Sequence, residues 1–346
     1  MKNPQLYMER CLQLAQLGLG YVSPNPIVGA VLVRDYRIIG EGYHQKLGGA
    51  HAEVNCINSV SPEDKALIPL STLFVSLEPC SHFGKTPPCT DYILMHGIRQ
   101  VVIACSDSSA KVNGKGIQIL RDAGVEVIEH VLEEEAQWLN RRFFTNCALQ
   151  RPHIVIKWAE TADGFIGSRM QRTKISSIHT DPMVHQWRSQ EDAIWVGYQT
   201  ALVDNPRLNV RFAIGKNPIR IVFDRDCTLP PSLHLFDQTQ DTIVFNTIKS
   251  TSKPNLTYLK IDPENYVQQI IDNLESFDIS SILVEGGTQL ITKLFDMNAW
   301  DEARIIHSPM TLDQGIQAPQ LPSQHQMIEA YTSSPDRISI YKNLDR

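Results

Sequence analysis

A chain of 346 residues has room for about two domains, each able to bury its own core. Hydrophobic residues make up 42% and charged residues 20%, an ordinary balance for a soluble globular protein. The net charge of −6 argues against a general electrostatic footprint for nucleic acid or anionic membrane.

No apolar run approaches the roughly 18 residues that a membrane span needs. The first ten residues, with Lys2, Glu9 and Arg10 among them, lack the apolar core of a signal peptide. Seven cysteines, an odd number, stand scattered at 11, 56, 80, 89, 105, 147 and 227. Unpaired thiols in a chain of this size point to a reducing compartment, where a cysteine cluster binds metal or does chemistry. The expected location is cytoplasmic.

Residues 4–17 place Leu6, Met8, Cys11, Leu12 and Ala15 near helical spacing, and Gly18 and Gly20 end the pattern. A turn at Pro24-Asn25-Pro26 leads into an apolar, β-rich run over 27–33, and a second turn at 34–37 opens a strand ending near Gly42. Further strands are predicted at 73–77, 101–105 and 125–128, with helices beginning near His51, Cys89 and Lys115. The alternation predicts a three-layer α/β domain with a partly parallel sheet. A polar helix from about Glu133 to Ala148 follows, and Arg151-Pro152 breaks it. The domain boundary is placed at this point, dividing 1–147 from 148–346. In the second part, strands are predicted at 153–157, 192–197, 219–223, 242–245, 281–284 and 303–306, and helices at 181–190, 263–275 and 288–296.

Chemistry concentrates in the first part. His51-Ala52-Glu53 is followed by Pro79-Cys80 and by Pro87-Pro88-Cys89. A catalytic zinc takes three protein ligands, here His51, Cys80 and Cys89, and leaves a fourth position for water. The metal brings the pKa of that water towards ~7, and a carboxylate that is not a ligand, Glu53, must move the protons. This division of labour and the H-x-E…P-C-x-x-C signature are those of zinc deaminases. The cysteines here are nine positions apart rather than three, so a loop has been inserted between them. Residues two apart on a regular helix do not share a face. His51 is therefore expected to open its helix, with the metal beyond the N-terminus.

These residues resemble the bifunctional riboflavin-biosynthesis deaminase/reductase family. The resemblance rests on Ser23-Pro24-Asn25-Pro26-Ile27-Val28-Gly29, Gly42-Tyr43-His44, His51-Ala52-Glu53 and the run from Leu77 to Thr90, whose long spacer between cysteines is its most specific piece. It covers nearly the whole chain. It implies a cytidine-deaminase-like three-layer α/β/α domain followed by a dihydrofolate-reductase-like α/β domain. It further implies that Asn25, His44 and Lys85 line the site of a phosphoribosylated diaminopyrimidine. The chain departs from the family at Asp107-Ser108-Ser109-Ala110, where an Asp-Pro-Asn-Pro run is usual.

Read from its residues alone, Val284-Glu285-Gly286-Gly287-Thr288 is a strand end, a glycine turn and a helix start, either an anion-binding turn or a plain tight one. It is not the G-x-G-x-x-G of a Rossmann fold. The resemblance implies more. NADPH would be contacted by Trp158, Lys174, Thr200, Asp204 and the segment Gly287, Thr288 and Gln289, and substrate by Arg188, Leu208, Arg211 and Glu285, the arginines suited to its phosphate. Arg172 and Lys174-Ile175-Ser176 depart from the family's usual residues. Arg225, just past a strand, is placed to meet a cofactor 2′-phosphate.

The implied reaction is zinc-dependent deamination of 2,5-diamino-6-(5-phosphoribosylamino)pyrimidin-4-one, then NADPH-dependent reduction of its ribosyl group to ribityl. This reading expects a small-molecule substrate, no nucleic-acid or membrane partner, and a homo-oligomer. One rival is a nucleic-acid base deaminase with a C-terminal binding module, which the acidic balance supports little. The other is a zinc-stabilised protein without activity, for which four ligands rather than three are usual.

Overall fold

The computed structural model describes residues 3–81, 87–107, 114–168 and 172–345. It divides into two compact units, Met1–Gln150 and Arg151–Arg346. No helix among the described residues is long and apolar enough to cross a membrane.

In the first unit the chain runs α1 (Pro4–Gln16), β1 (Gly29–Arg34), β2 (Arg37–Tyr43), α2 (Ala52–Asn58), β3 (Thr72–Val75), α3 (Cys89–Met95), β4 (Gln100–Ile103), α4 (Lys115–Asp122), β5 (Glu126–Ile128), α5 (Glu133–Leu139) and α6 (Arg141–Leu149). Among the described residues one sheet forms, in the order β2-β1-β3-β4-β5. β1 pairs antiparallel with both β2 and β3, whereas β3, β4 and β5 are parallel. Alternate strand residues feed two cores. Ala30, Leu32, Leu73, Val75, Val101 and Ile103 pack with Cys56 and Ile57 of α2, Ile93 of α3 and Leu120 of α4. Val31, Val33, Phe74 and Val102 pack on the opposite face with Met8 and Cys11 of α1 and Ala136 of α5. Each buried Val, Leu, Ile, Phe or Met among them contributes about 1.5–3 kcal/mol. Both faces of the sheet are covered, as the strand–helix alternation requires.

Two glycines let helices lie directly on the sheet. A Cβ at Gly29 would sit 2.0 Å from the Cys11 carbonyl oxygen, and one at Gly42 would sit 2.2 Å from the Cys56 nitrogen. The single helix expected over 133–148 is instead two. Asn140 stands at the joint and spends its carboxamide on Ile27, accepting the Ile27 N–H at 2.9 Å and donating to its carbonyl at 3.0 Å. A side chain committed to a distant backbone sets where the helix bends.

The second unit contains β6 (His153–Glu160), β7 (Phe165–Gly167), α7 (Asp181–Gln190), β8 (Ala193–Val196), α8 (Tyr198–Asp204), β9 (Ile219–Phe223), β10 (Thr242–Asn246), β11 (Thr251–Lys253), β12 (Leu256–Lys260), α9 (Tyr266–Asn273), α10 (Thr288–Asp296), with β13 (Ser281–Val284) between α9 and α10, then β14 (Glu302–His307), β15 (Ile316–Gln317), β16 (His325–Ser333) and β17 (Asp336–Asn343). Its main sheet has the order β11-β12-β10-β9-β8-β13-β6-β14-β17-β16 among the described residues, and β7 pairs with β15 apart from it. The central run from β12 to β14 is parallel, and β17 and β16 close one edge antiparallel. Residues of β6 alternate between two cores: Ile154, Ile156 and Trp158 face α9 and α10, and Val155 faces Val184 and Trp187 of α7. β8, β13 and β6 are parallel neighbours, so their carboxyl ends lie side by side at the usual ligand-binding edge of a parallel sheet.

Candidate functional site

In the first unit, three ligand-type residues converge from three elements. His51 is the extended residue immediately before α2, Cys80 follows the end of β3, and Cys89 is the first residue of α3. Their ligand atoms all lie within 4.8 Å of one another. Nδ1 of His51 is 3.4 Å from Sγ of Cys80 and 3.3 Å from Sγ of Cys89. A nitrogen and a sulfur bound to one tetrahedral zinc at ordinary bond lengths stand roughly 3.5 Å apart, so the cluster fits that ion. The Cys89 N–H points at the Cys80 sulfur from 3.3 Å, and hydrogen bonds from Cys89 and His51 hold the Cys80 thiol down at about 4. A thiolate is the form that binds metal.

Glu53 is 3% exposed, two residues into the same helix start. Burial pushes its carboxyl up to about 7, and the neighbouring Cys80 charge adds to the effect. A bound cation acts in the opposite sense. Asn25 and His44 join the cluster from the other side. The His44 ring lies 5.2 Å from the His51 ring, its Nδ1 meets the Ala50 carbonyl at 3.1 Å, and its Nε2 is 3.4 Å from Nδ2 of Asn25. With Nδ1 donating to the carbonyl, Nε2 carries the lone pair that accepts from Asn25. Burial lowers the His44 pKa, which keeps this ring neutral. Lys85 lies outside the described residues, as do Ser108, Ser109 and Ala110 of the loop that departs from the family.

Glu78 went unnoticed in the sequence except as part of a motif. Its buried carboxylate accepts four backbone N–H groups, from Asp107 at 3.1 Å, Gly114 at 3.0 Å, Gly116 at 2.9 Å and Ile117 at 3.3 Å. It thereby ties the start of α4 to the segment that carries Cys80. Gly116 fits because a Cβ there would sit 2.1 Å from the Pro79 carbonyl oxygen.

In the second unit, β8 and β13 are parallel neighbours whose ends carry the two glycine turns. The Gly197 N–H donates to the Gly286 carbonyl at 2.8 Å, and α8 and α10 start from these turns. A Cβ at Gly287 would come within 3.3 Å of Thr200 Oγ1, so the glycine lets this backbone and hydroxyl approach closely at the two helix starts, where they form a shallow cradle. Thr288 and Gln289 begin α10, and Asp204 ends α8 with its carboxyl raised by burial. Lys174 is paired with Asp181 at 2.5 Å. Trp158 is 4% exposed, its indole N–H bonded to Glu160 at 2.8 Å and its ring against Phe295.

Beside the cradle, the Glu285 carboxylate takes two bonds from Arg188, at 2.7 and 2.8 Å. Lys157 is its register neighbour on β6, since Val284 pairs with Ile156. Burial opposes the Glu285 charge, but Arg188 and Lys157 overcome it and hold the carboxyl at about 2. Burial in turn lowers the Lys157 pKa. Leu208 is 1% exposed with φ 54°, so its side chain belongs to the core. Arg211 is exposed and bonded to the Asn209 side chain at 2.9 Å. His185 was not singled out from the sequence, yet it lies between Arg188 and Arg211. Only the spacing of His185 and Arg188 on one helix face signalled it.

Residues 1–105 match the family profile of the cytidine and deoxycytidylate deaminase zinc-binding region, and residues 152–335 match the RibD C-terminal domain. The riboflavin biosynthesis protein RibD of Aquifex aeolicus is 36% identical over 318 residues, covering 90% of this chain and 88% of that protein. The chain belongs to the RibD family. The RibD protein of Escherichia coli is 32% identical over 327 residues, with 89% of this chain and 88% of that protein covered. A crystal structure of a diaminohydroxyphosphoribosylaminopyrimidine deaminase/5-amino-6-(5-phosphoribosylamino)uracil reductase from Thermotoga maritima superposes with a TM-score of 0.90 at 36% identity, covering 98% of each chain. Acinetobacter baumannii RibD reaches a TM-score of 0.86 at 27% identity over 99% of each chain.

As a RibD-family member, the chain is a bifunctional enzyme of riboflavin biosynthesis with a zinc-binding deaminase domain and a reductase domain. Zn2+ and NADPH are the cofactors that these domains imply.

Proposed function

We propose that the first unit removes the ring amino group of 2,5-diamino-6-(5-phosphoribosylamino)pyrimidin-4-one, and that the second reduces the ribosyl group of the product to ribityl. The observation that carries the reading is the convergence of His51, Cys80 and Cys89 within 4.8 Å beside a buried Glu53. Those three residues would hold zinc, which would supply a water activated near neutral pH. Glu53 takes a proton from the attacking water and delivers it to the departing amine, so ring C–NH2 and water become C=O and ammonia. Asn25 reads the ring edge through its carboxamide, and the neutral His44 keeps that carboxamide oriented by accepting from Nδ2. Lys85 offers a point charge to the ribose phosphate.

In the second unit, bound NADPH would supply the hydride that reduces the anomeric carbon. Gly287, Thr288, Gln289, Thr200, Asp204, Lys174 and Trp158 are the residues that would contact the cofactor. Arg211 meets the substrate phosphate, and Arg188 and Glu285 form the rigid charged wall beside Lys157. The enzyme acts on a free nucleotide in the cytoplasm as a homo-oligomer, and nucleic acid and membrane play no part. Seven free cysteines support the reducing compartment.

The test is incubation of the full chain with the diaminopyrimidine nucleotide, with and without NADPH, following ammonia release and NADPH absorbance separately. Ammonia is expected without NADPH, and NADPH oxidation only after deamination. A zinc chelator should stop the first signal and spare the second when the deaminated nucleotide is supplied directly. Chelator-resistant ammonia release would remove the reading of the metal site.

A further inference from the structure

Arg188 and Arg211 were both expected at the substrate phosphate, but their surroundings differ. Arg188 spends Nε and Nη2 on Glu285 and donates Nη1 to the Asn209 carbonyl at 3.2 Å, so its charge is already matched. Arg211 makes no ion pair among the described residues, and its guanidinium rests 4.9 Å from the Phe212 ring centroid. Of these two arginines, it is the one whose charge is not already matched by a carboxylate among the described residues. A mobile arginine loses side-chain freedom on binding, so what holds its backbone matters to affinity.

The backbone of 209–211 is pinned to α7 at two points. One is the Arg188 bond to the Asn209 carbonyl. The other is His185, one helical turn before Arg188, whose Nδ1 accepts the Arg211 N–H at 3.0 Å. Phe212 packs edge-on against the same imidazole, with centroids 4.9 Å apart, and the Val210 N–H is closed by Asn217 at 2.8 Å. An imidazole that accepts at Nδ1 must keep that nitrogen unprotonated. Burial first, then the charges of Arg188 and Arg211, hold the His185 pKa down at about 4, against the opposing pull of Glu285 and Asp181.

We infer that His185 is a positioning residue for phosphate recognition in the reductase half: by accepting the Arg211 N–H, it aims the Arg211 guanidinium at the substrate phosphate. The inference rests on the reading of Arg211 as the phosphate ligand. It does not involve the cofactor or the metal centre.

The acceptor can be moved without removing it. Asparagine at 185 places its oxygen where Nδ1 stands, whereas glutamine places it near the position of Nε2. In the full chain supplied with deaminated nucleotide and NADPH, His185→Gln and His185→Leu should raise the nucleotide KM about tenfold with kcat within about twofold. His185→Asn should restore most of the affinity. The inhibition constant of ribose 5-phosphate should rise in step with KM, while the NADPH KM and ammonia release from the other half stay put. Arg211→Ala is the reference. If it leaves the nucleotide KM unchanged, the phosphate reading itself fails. If Arg211→Ala raises KM while the Asn and Gln variants at 185 behave alike, or kcat falls in place of affinity, His185 does not position Arg211. Should His185→Leu not fold, the Asn–Gln contrast alone decides.

Discussion

Arg188 and Glu285, 97 positions apart in the chain, meet through two parallel N–H···O bonds of 2.7 and 2.8 Å with both side chains largely buried. Removing one partner of such a pair leaves an uncompensated buried charge, here two, because Lys157 also faces Glu285. Glu285→Ala is therefore expected to destabilise the reductase half by about 3–5 kcal/mol. The sign of the pH effect follows from the depressed pKa. The Glu285 contribution is fully present above its ordinary value of 4.5 and is lost as the pH falls towards about 2. The gap between the thermal midpoints of wild type and Glu285→Ala should narrow as the pH is lowered from 7 to 3. A constant gap would show that the pair's charge is not what stabilises the fold.

Glu53 is a buried carboxylate outside the cluster of His51, Cys80 and Cys89 that could hold a metal. Replacing it by glutamine keeps volume and polarity and removes proton transfer. Glu53→Gln should lower the deamination kcat by at least about a hundredfold, with zinc content and NADPH oxidation unchanged. A variant that keeps zinc and still releases ammonia at the wild-type rate would assign the protons to another group.

The parts of this molecule legible in advance were those where chemistry restricts residue type. Imidazole and thiolate are favoured zinc ligands, so His51, Cys80 and Cys89 stood out at strand–helix junctions, and all three fall within one cluster. The apolar strands of both sheets were equally plain, because fully buried strands read as continuous apolar runs. Less legible were contacts made by polar atoms with distant backbone. The four N–H groups on Glu78, the Arg211 N–H on His185 and the Ile27 backbone on Asn140 depend on tertiary approach, which no local pattern encodes. The β16–β17 hairpin was also missed, because β16 is half exposed and mixes Gln, Glu, Thr and Ser with its apolar residues. Asn140 divides one expected helix into two for the same reason: propensity favours continuity, and a buried side-chain bond overrides it.

Arg225 stands just past β9 with its side chain 66% exposed, and its nearest carboxylate, Asp226, is 3.9 Å away and also exposed. Its backbone is held, since its carbonyl accepts both the N–H and the hydroxyl of Thr247 at 2.9 Å. An exposed guanidinium carried on a held backbone suits the 2′-phosphate that distinguishes NADPH from NADH. Arg225→Ala should raise the KM for NADPH about tenfold and leave that for NADH unchanged. Equal changes for both nucleotides would dismiss the contact.

Glu78 supplies the last prediction. Two carboxylate oxygens accept four N–H groups, two each: Gly116 and Ile117 on Oε1, Asp107 and Gly114 on Oε2. Glutamine keeps one acceptor and turns an NH2 group towards the other two donors, leaving two backbone N–H groups without partners at about 1–3 kcal/mol each. The strain falls on the start of α4, which rests on the Pro79 carbonyl next to Cys80. Glu78→Gln should therefore lower the thermal midpoint of the deaminase half and speed zinc loss to a chelator, with NADPH oxidation by the other half as an internal control. Gly116→Ala should act the same way, because its Cβ would strike the Pro79 carbonyl oxygen and crowd Oε1 of Glu78. If Glu78→Gln releases zinc no faster than wild type while melting earlier, the clamp serves the fold and not the metal.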